Sequence, residues 1–291
     1  VPGLVGVLAI DFLLMQVVPA DPAMVPAGLR TELGHDRPII EQFALYVWRL
    51  AHGDLGVSII NNSPVAEELG RTLGPTFELL IASVVWSIPL GLAVGTLSAA
   101  RRGGWWDRGV MVASVASVSV PVFFMGALLV WFVGFRWQML PFTGRGGPLW
   151  TASGLRSVAL PALTLGTVFI GPVVRMTRSS VLDALGAEHV RTARAKGLNE
   201  PVVVVRHALR NALIPVLPLV GLQVGYLLGG AVVTETIFSW PGVGRLAVVA
   251  VLSADYPMAQ GTILVLAGGF IIINLGLDLL YAYLDPRITV S

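Results

Sequence analysis

The chain has 291 residues, of which 55% are hydrophobic and only 12% charged, about half the charged share of a typical soluble domain. So little polar material cannot cover a water-facing surface, which excludes an ordinary soluble globule. The net charge of +2 leaves no nucleic-acid footprint, and the absence of cysteine excludes disulfides, thiolate chemistry and Cys-based metal sites.

Glycine (33) and proline (19) are abundant without low complexity, and both are commoner in membrane helices than in soluble ones. A hydrocarbon core of ~30 Å takes about 20 apolar residues as helix. Residues 1–20 form a first span, interrupted by Asp11. It opens on Val1 inside an apolar stretch, so leading residues are expected to be missing. An outer loop, 21–78, follows. Within it, Asp36 and Pro38 start a helix over 36–52. There Ile39, Ile40, Phe43, Tyr46, Val47 and Leu50 keep helical spacing, as on a surface helix.

The second span, 79–100, carries no charge and stops at Arg101 and Arg102. The third is 109–135. The fourth, 157–174, is short and contains Pro161 and Pro172. A long loop, 175–210, leads to the fifth span, 211–234. A short half-inserted helix over 243–253 precedes the sixth span, 256–284. Pro89, Pro121, Pro215 and Pro218 are expected to kink their helices. Gly91 and Gly95, and Gly221, Gly225 and Gly229, recur every four residues, a spacing that lets helix backbones approach closely. The expected fold is an all-α membrane domain of about six transmembrane helices, 1–291. The ~10-residue alternating segments of a membrane barrel are absent.

Basic residues set the orientation. The connections 100–108, 175–210 and the tail after 284 hold eleven of the 19 Lys and Arg. The opposite connections are roughly twice as long and hold fewer. The first set is therefore expected on the cytoplasmic side, with both termini inside.

No motif carries bond-making chemistry. A phosphate-binding loop ends in Gly-Lys-Ser/Thr, but the only lysine is Lys196, followed by Gly197. Gly242, Gly244 and Ala247 mimic a dinucleotide fingerprint with no strand before them. His35, His52, His189 and His207 make no zinc-hydrolase spacing, and no Gly-x-Ser-x-Gly elbow occurs. No catalytic residue, cofactor site or metal site is expected in this chain. Three carboxylates fall in or beside spans: Asp11, Glu78 and Asp278. Charge in lipid is costly, so each is either a pathway group or an interhelical polar contact.

The loop 175–210 is the most informative segment. Residues 187–196 form a short helix that Gly197 terminates. Asn199 then caps a second helix with Pro201 in its first turn. A compact, basic helix–turn–helix between two spans reads as a docking element.

That loop resembles the EAA loop of ABC importer permeases: Glu-Ala-Ala, three residues, Gly, nine residues, then Ile-x-Leu-Pro. Arg191-Thr-Ala193 stands at Glu-Ala-Ala, Gly197 falls at the required distance, and His207-Ala-Leu209-Arg210 follows nine residues later. Ala193, Gly197 and Leu209 match. Arg191, His207 and Arg210 depart from the general consensus in the manner of the oligopeptide/dipeptide/nickel branch. Other pieces of that branch follow in order: Pro19-Ala-Asp-Pro22, Gly53-Asp-Leu-Gly56, Ser119-Val-Pro-Val-Phe123 with Gly126, Leu140-Pro141, and Leu160-Pro-Ala-Leu-Thr-Leu-Gly166. Then come Glu235-Thr-Ile-Phe-Ser-Trp-Pro-Gly-Val-Gly-Arg245, Asp255-Tyr-Pro257 and Leu284-Asp-Pro-Arg287.

The resemblance implies a type I ABC importer permease fold and the first of two non-identical permease subunits in a bacterial cytoplasmic membrane. It implies two cytoplasmic ATPase subunits that bind ATP and Mg, and an outer substrate-binding protein. The expected ATPase-coupling residues are Glu188, Arg191, Thr192, Ala193, Arg194, Lys196 and Gly197. The substrate stays open among dipeptides, oligopeptides, glutathione, a nickel chelate and haem. The alternative is an ion-gradient-driven carrier acting without ATPase subunits. It would usually show internal repeats, and no convincing repeat is seen.

Overall fold

A computed structural model describes the backbone of residues 2–17 and 38–284, with side chains over 6–13, 38–277 and at Leu279. Asp36, the 19–22 piece, the side chain of Asp278 and residues 285–287 lie outside the described residues. The helices, in order, are α1 (Pro2–Val17), α2 (Ile39–Ala51), α3 (Val65–Ala100), α4 (Trp105–Ser119) and α5 (Val122–Arg136). They continue as α6 (Ala152–Gly186), α7 (Glu188–Ala195), α8 (Glu200–Ile237), α9 (Val243–Leu252) and α10 (Tyr256–Leu284). Two stretches inside these are π-helical: Val130–Arg136 in α5 and Val203–Leu209 in α8. Among the described residues there is no strand, only an isolated bridge between Val57 and Pro64.

Among the described residues, α3, α6, α8 and Tyr256–Leu277 of α10 are long and apolar enough to cross a bilayer. The pair α4–α5 makes a fifth crossing if its two arms count as one broken span. That compares with the six expected; α1, with 16 residues, is short of the usual length.

Several helices outrun their apolar windows. α3 begins at Val65 rather than 79, because its first turns are polar and carry Glu67, Glu68 and Arg71. α6 runs beyond 157–174 at both ends, since Arg175 and Arg178 find partners and do not end it. The prolines behave differently. Pro161, Pro172, Pro215 and Pro218 sit inside unbroken helices, and α3 runs through Pro89. Pro121 breaks its span: Val120 before it is extended (φ −86°, ψ 122°), and α4 and α5 meet at 102°. A proline disfavours the helical region in the residue before it. The helix expected over 36–52 is described as Ile39–Ala51, with Pro38 at its N-cap position.

The chain divides into two compact units. One comprises residues 1–76 and 241–272. Its core gathers Val65, Leu69, Val243, Ala250, Met258 and Ala259. On α1, Phe12 packs against Phe43 and Tyr46 of α2 at ring-centroid distances of 5.3 and 5.8 Å. The loop after α2 is tied to the start of α10: the Ser58 hydroxyl donates to Asp255, and the Ile59 N–H donates to the same carboxylate at 3.2 Å.

The other unit comprises residues 77–240 and 273–291. α6 is its central helix, packing chiefly on α8 and α4. Two-thirds of its apolar window (67%) is buried, against 33% for α8, so α8 keeps a broad face outside. α3 approaches α6 closely. A Cβ on Gly95 would stand 2.7 Å from the Val174 carbonyl oxygen, which only glycine avoids.

Candidate functional site

α6 ends at Gly186, and Ala187 turns the chain out in an extended conformation (φ −75°, ψ 153°). α7 then runs across the end of the bundle. Its inner face is Val190 and Ala193, both buried against Ala99, Val181, Val203, Ala208 and Ala212. Apolar residues three apart fall on one side of a helix; that spacing anchors α7 while the rest of it stays outside. Glu188, Arg191, Thr192, Arg194 and Lys196 are all exposed.

Three local devices hold this shape. The Thr192 hydroxyl donates to the Glu188 carbonyl at 3.0 Å. Gly197 ends the helix at φ +76°, a left-handed conformation suited to glycine, and its N–H donates to the Arg194 carbonyl at 2.9 Å. Arg194 forks onto Glu200 at the start of α8, with donor–acceptor distances of 3.1 and 2.5 Å. The guanidinium holds the Glu200 carboxyl below its ordinary value, and the pairing raises Arg194 in turn. Asn199 stands at the N-cap position as expected, but its side chain makes no capping hydrogen bond. Across the loop, Asn211 Nδ2 lies 2.8 Å from His189 Nε2 and donates to the His207 carbonyl at 3.1 Å, joining α7 to α8.

The structure thus brings Glu188, Arg191, Thr192, Ala193, Arg194, Lys196 and Gly197 into one element. It does not bring Asp11 or Glu78 there. Asp11 is buried, and its Oδ2 accepts from the Tyr46 hydroxyl at 2.7 Å, linking α1 to α2. Glu78 is forked by Arg145 at 2.7 Å through both oxygens, fastening the loop before α6 to α3. Both make interhelical or helix–loop contacts. Asp278 lies in α10, its side chain outside the described residues.

Sequence reasoning missed a second clamp. Asp107 is buried at the start of α4, where it accepts from the Arg178 guanidinium at 2.5 and 2.7 Å. It also accepts from the Ser98 hydroxyl at 2.6 Å and the Gly103 N–H at 2.9 Å. A search for carboxylates inside apolar spans passes over it, because it lies two residues before the span. Of the Ser58–Asp255 contact, only Asp255 was signalled, in the piece Asp255–Pro257. Glu235, fully buried, sat unremarked inside a longer motif.

Among the described residues no three His, Asp or Glu side chains are grouped to hold a metal ion. The site presents a basic, exposed helix anchored on an apolar bundle through Val190 and Ala193. Residues 87–290 match the family described as "Binding-protein-dependent transport system inner membrane component", and the chain belongs to that family of ABC importer permeases.

Its relatives agree along nearly the whole length. The chain is 38% identical to the dipeptide transport system permease protein DppB of Escherichia coli K12, covering 99% of this chain and 95% of that protein. It is 40% identical to the glutathione transport system permease protein GsiC of Pectobacterium atrosepticum, with the same coverage. It is 39% identical to DppB of Alkalihalophilus pseudofirmus, over 99% of this chain and 96% of that one.

Proposed function

We propose that this chain lines half of the translocation pathway for di- or oligopeptides, or peptide-like solutes such as glutathione, in a bacterial cytoplasmic membrane. A second, non-identical permease subunit supplies the other half. Two ATPase subunits bind ATP and Mg and dock on α7, and a separate binding protein delivers substrate on the opposite face. Both termini are on the ATPase side. Support for the substrate class comes from relatives named for dipeptide and glutathione transport.

One observation carries the coupling role: α7 is anchored by Val190 and Ala193 to residues of α3, α6 and α8 at once. A push on α7 therefore reaches three long helices together. Arg194 is already engaged with Glu200, so it shapes the loop, while Arg191 and Lys196 face the partner. ATP binding then shifts the bundle between inward- and outward-facing populations. A carrier driven by ion gradients would transport without partners, which membership of a binding-protein-dependent family argues against.

Gly197→Val tests the role. A β-branched residue is costly in a left-handed conformation, by ~1–2 kcal/mol, so the end of α7 shifts. Uptake of a labelled dipeptide is expected to fall about tenfold, with the complex assembled and ATP hydrolysis continuing. Unchanged uptake at normal expression would overturn it.

A further inference from the structure

The turn between α3 and α4 has a chemistry that the coupling role does not use. α3 ends at Ala100, and the Gly104 N–H closes the turn onto the Arg101 carbonyl at 3.2 Å. Four side chains in this stretch are basic or aromatic and exposed: Arg101, Arg102, Trp105 and Arg108, with Trp105 85% exposed. The one acidic residue in this stretch, Asp107, is buried and already forked by Arg178. No ion pair reaches Arg101, Arg102 or Arg108 among the described residues, so three cations stand uncompensated around one tight turn.

The helix that follows continues the pattern. Trp105, Arg108, Val112 and Val115 are spaced three, four and three residues apart, which puts them on one face of α4. Val112 and Val115 are exposed at 70% and 55%. That face is therefore aromatic and cationic at its end and bare hydrocarbon beyond it. The turn also lies at the α7 end of its unit, since Ala99 packs with Val190 and Ala193.

We infer that this turn binds an anionic phospholipid, the phosphate head group held by Arg101, Arg102 and Arg108 beside Trp105, and the acyl chains lying along Val112 and Val115. Basic clusters directly beside a span attract anionic lipid, and tryptophan settles at the head-group level. The apolar continuation distinguishes a lipid from a free phosphate, which has nothing to place against the valines. A protein partner would need acidic groups to meet three arginines, and it would not require the hydrocarbon face. The inference depends on the chain lying in a membrane and not on substrate or coupling.

The test uses the assembled transporter, stripped of lipid in detergent and offered equal amounts of phosphatidylglycerol and phosphatidylcholine. Native mass spectrometry counts the lipids retained. Phosphatidylglycerol should be retained in preference, and inorganic phosphate should not displace it. The variant Arg101→Gln/Arg102→Gln/Arg108→Gln should lose more than about tenfold of that retention with its subunits intact. Because removing basic residues can disturb insertion, Trp105→Ala/Arg108→Gln serves as a second variant that keeps Arg101 and Arg102; about a fivefold loss is expected. Equal retention of the two lipids by the unaltered protein would overturn the inference. So would unchanged phosphatidylglycerol retention in both variants. Loss of a protein subunit with lipid retention unaltered would likewise overturn it and mark the turn as a subunit contact.

Discussion

At the scale of single residues, the chain places its few charges in pairs. Arg178 with Asp107 and Arg145 with Glu78 are both forked, two-point contacts. Two-point pairing of a guanidinium with a carboxylate fixes direction as well as distance. Asp107 matters most, because it holds the end of α3, the turn and α6 at once. Replacing it by Asn leaves Arg178 without its counter-charge, and breaking a buried pair costs about 3 kcal/mol. Asp107→Asn should therefore lower the thermal midpoint of the solubilised protein. Adding Arg178→Met should recover part of the loss, since no charge is then left unpaired. A midpoint no better in the double variant than in Asp107→Asn would show that the pair is not the source of the effect.

At the scale of elements, close approach and helix register carry the structure. Gly95 lets α3 and α6 meet backbone to backbone. Gly95→Leu should force them apart, costing roughly 1–3 kcal/mol, read as a lower melting temperature. The π-helical stretch Val203–Leu209 lies where α7 is anchored to α8. Such stretches carry an extra residue per turn and gather at functional sites. Deleting Val205, which is exposed, should leave helix content in circular dichroism unchanged yet abolish ATP-driven uptake. Uptake at the original rate would show that register there is idle.

How much of this was legible in sequence follows from what hydropathy measures. It detects apolar stretches, and so it located the interiors of α3, α6, α8 and α10. It is blind to helix that continues into polar territory, which is why the first turns of α3 at Glu67 and Glu68 and the end of α6 past Arg178 were read as loop. It is blind to direction as well: the window 109–135 is uncharged throughout, and only Pro121 hinted at the 102° bend. α7 was readable because Gly197 ends it and Asn199 and Pro201 open the next helix at once; its anchoring pair, Val190 and Ala193, came only with the fold. The Asp107–Arg178 clamp was not, since its partners are 71 residues apart and each looks like an ordinary interfacial charge.

At the scale of the whole molecule, the chain belongs to a family whose transport depends on a binding protein, and it presents an exposed basic helix. Expressed alone in vesicles, it should not accumulate a labelled dipeptide. Expressed with the second permease subunit, ATPases and binding protein proposed above, it should co-purify with the membrane-associated subunits and restore ATP-dependent uptake. Accumulation by the isolated chain would favour an ion-gradient carrier instead.

One property of α7 has a practical consequence. Lys196 is the sole lysine among the 291 residues, there is no cysteine anywhere in them, and the ammonium stands exposed at the end of α7. An acylating fluorophore thus has a single lysine target among these residues, at the spot where movement is expected to arrive. A second dye on one engineered thiol would turn this sequence into a distance gauge, with no other lysine or cysteine among these residues to remove first.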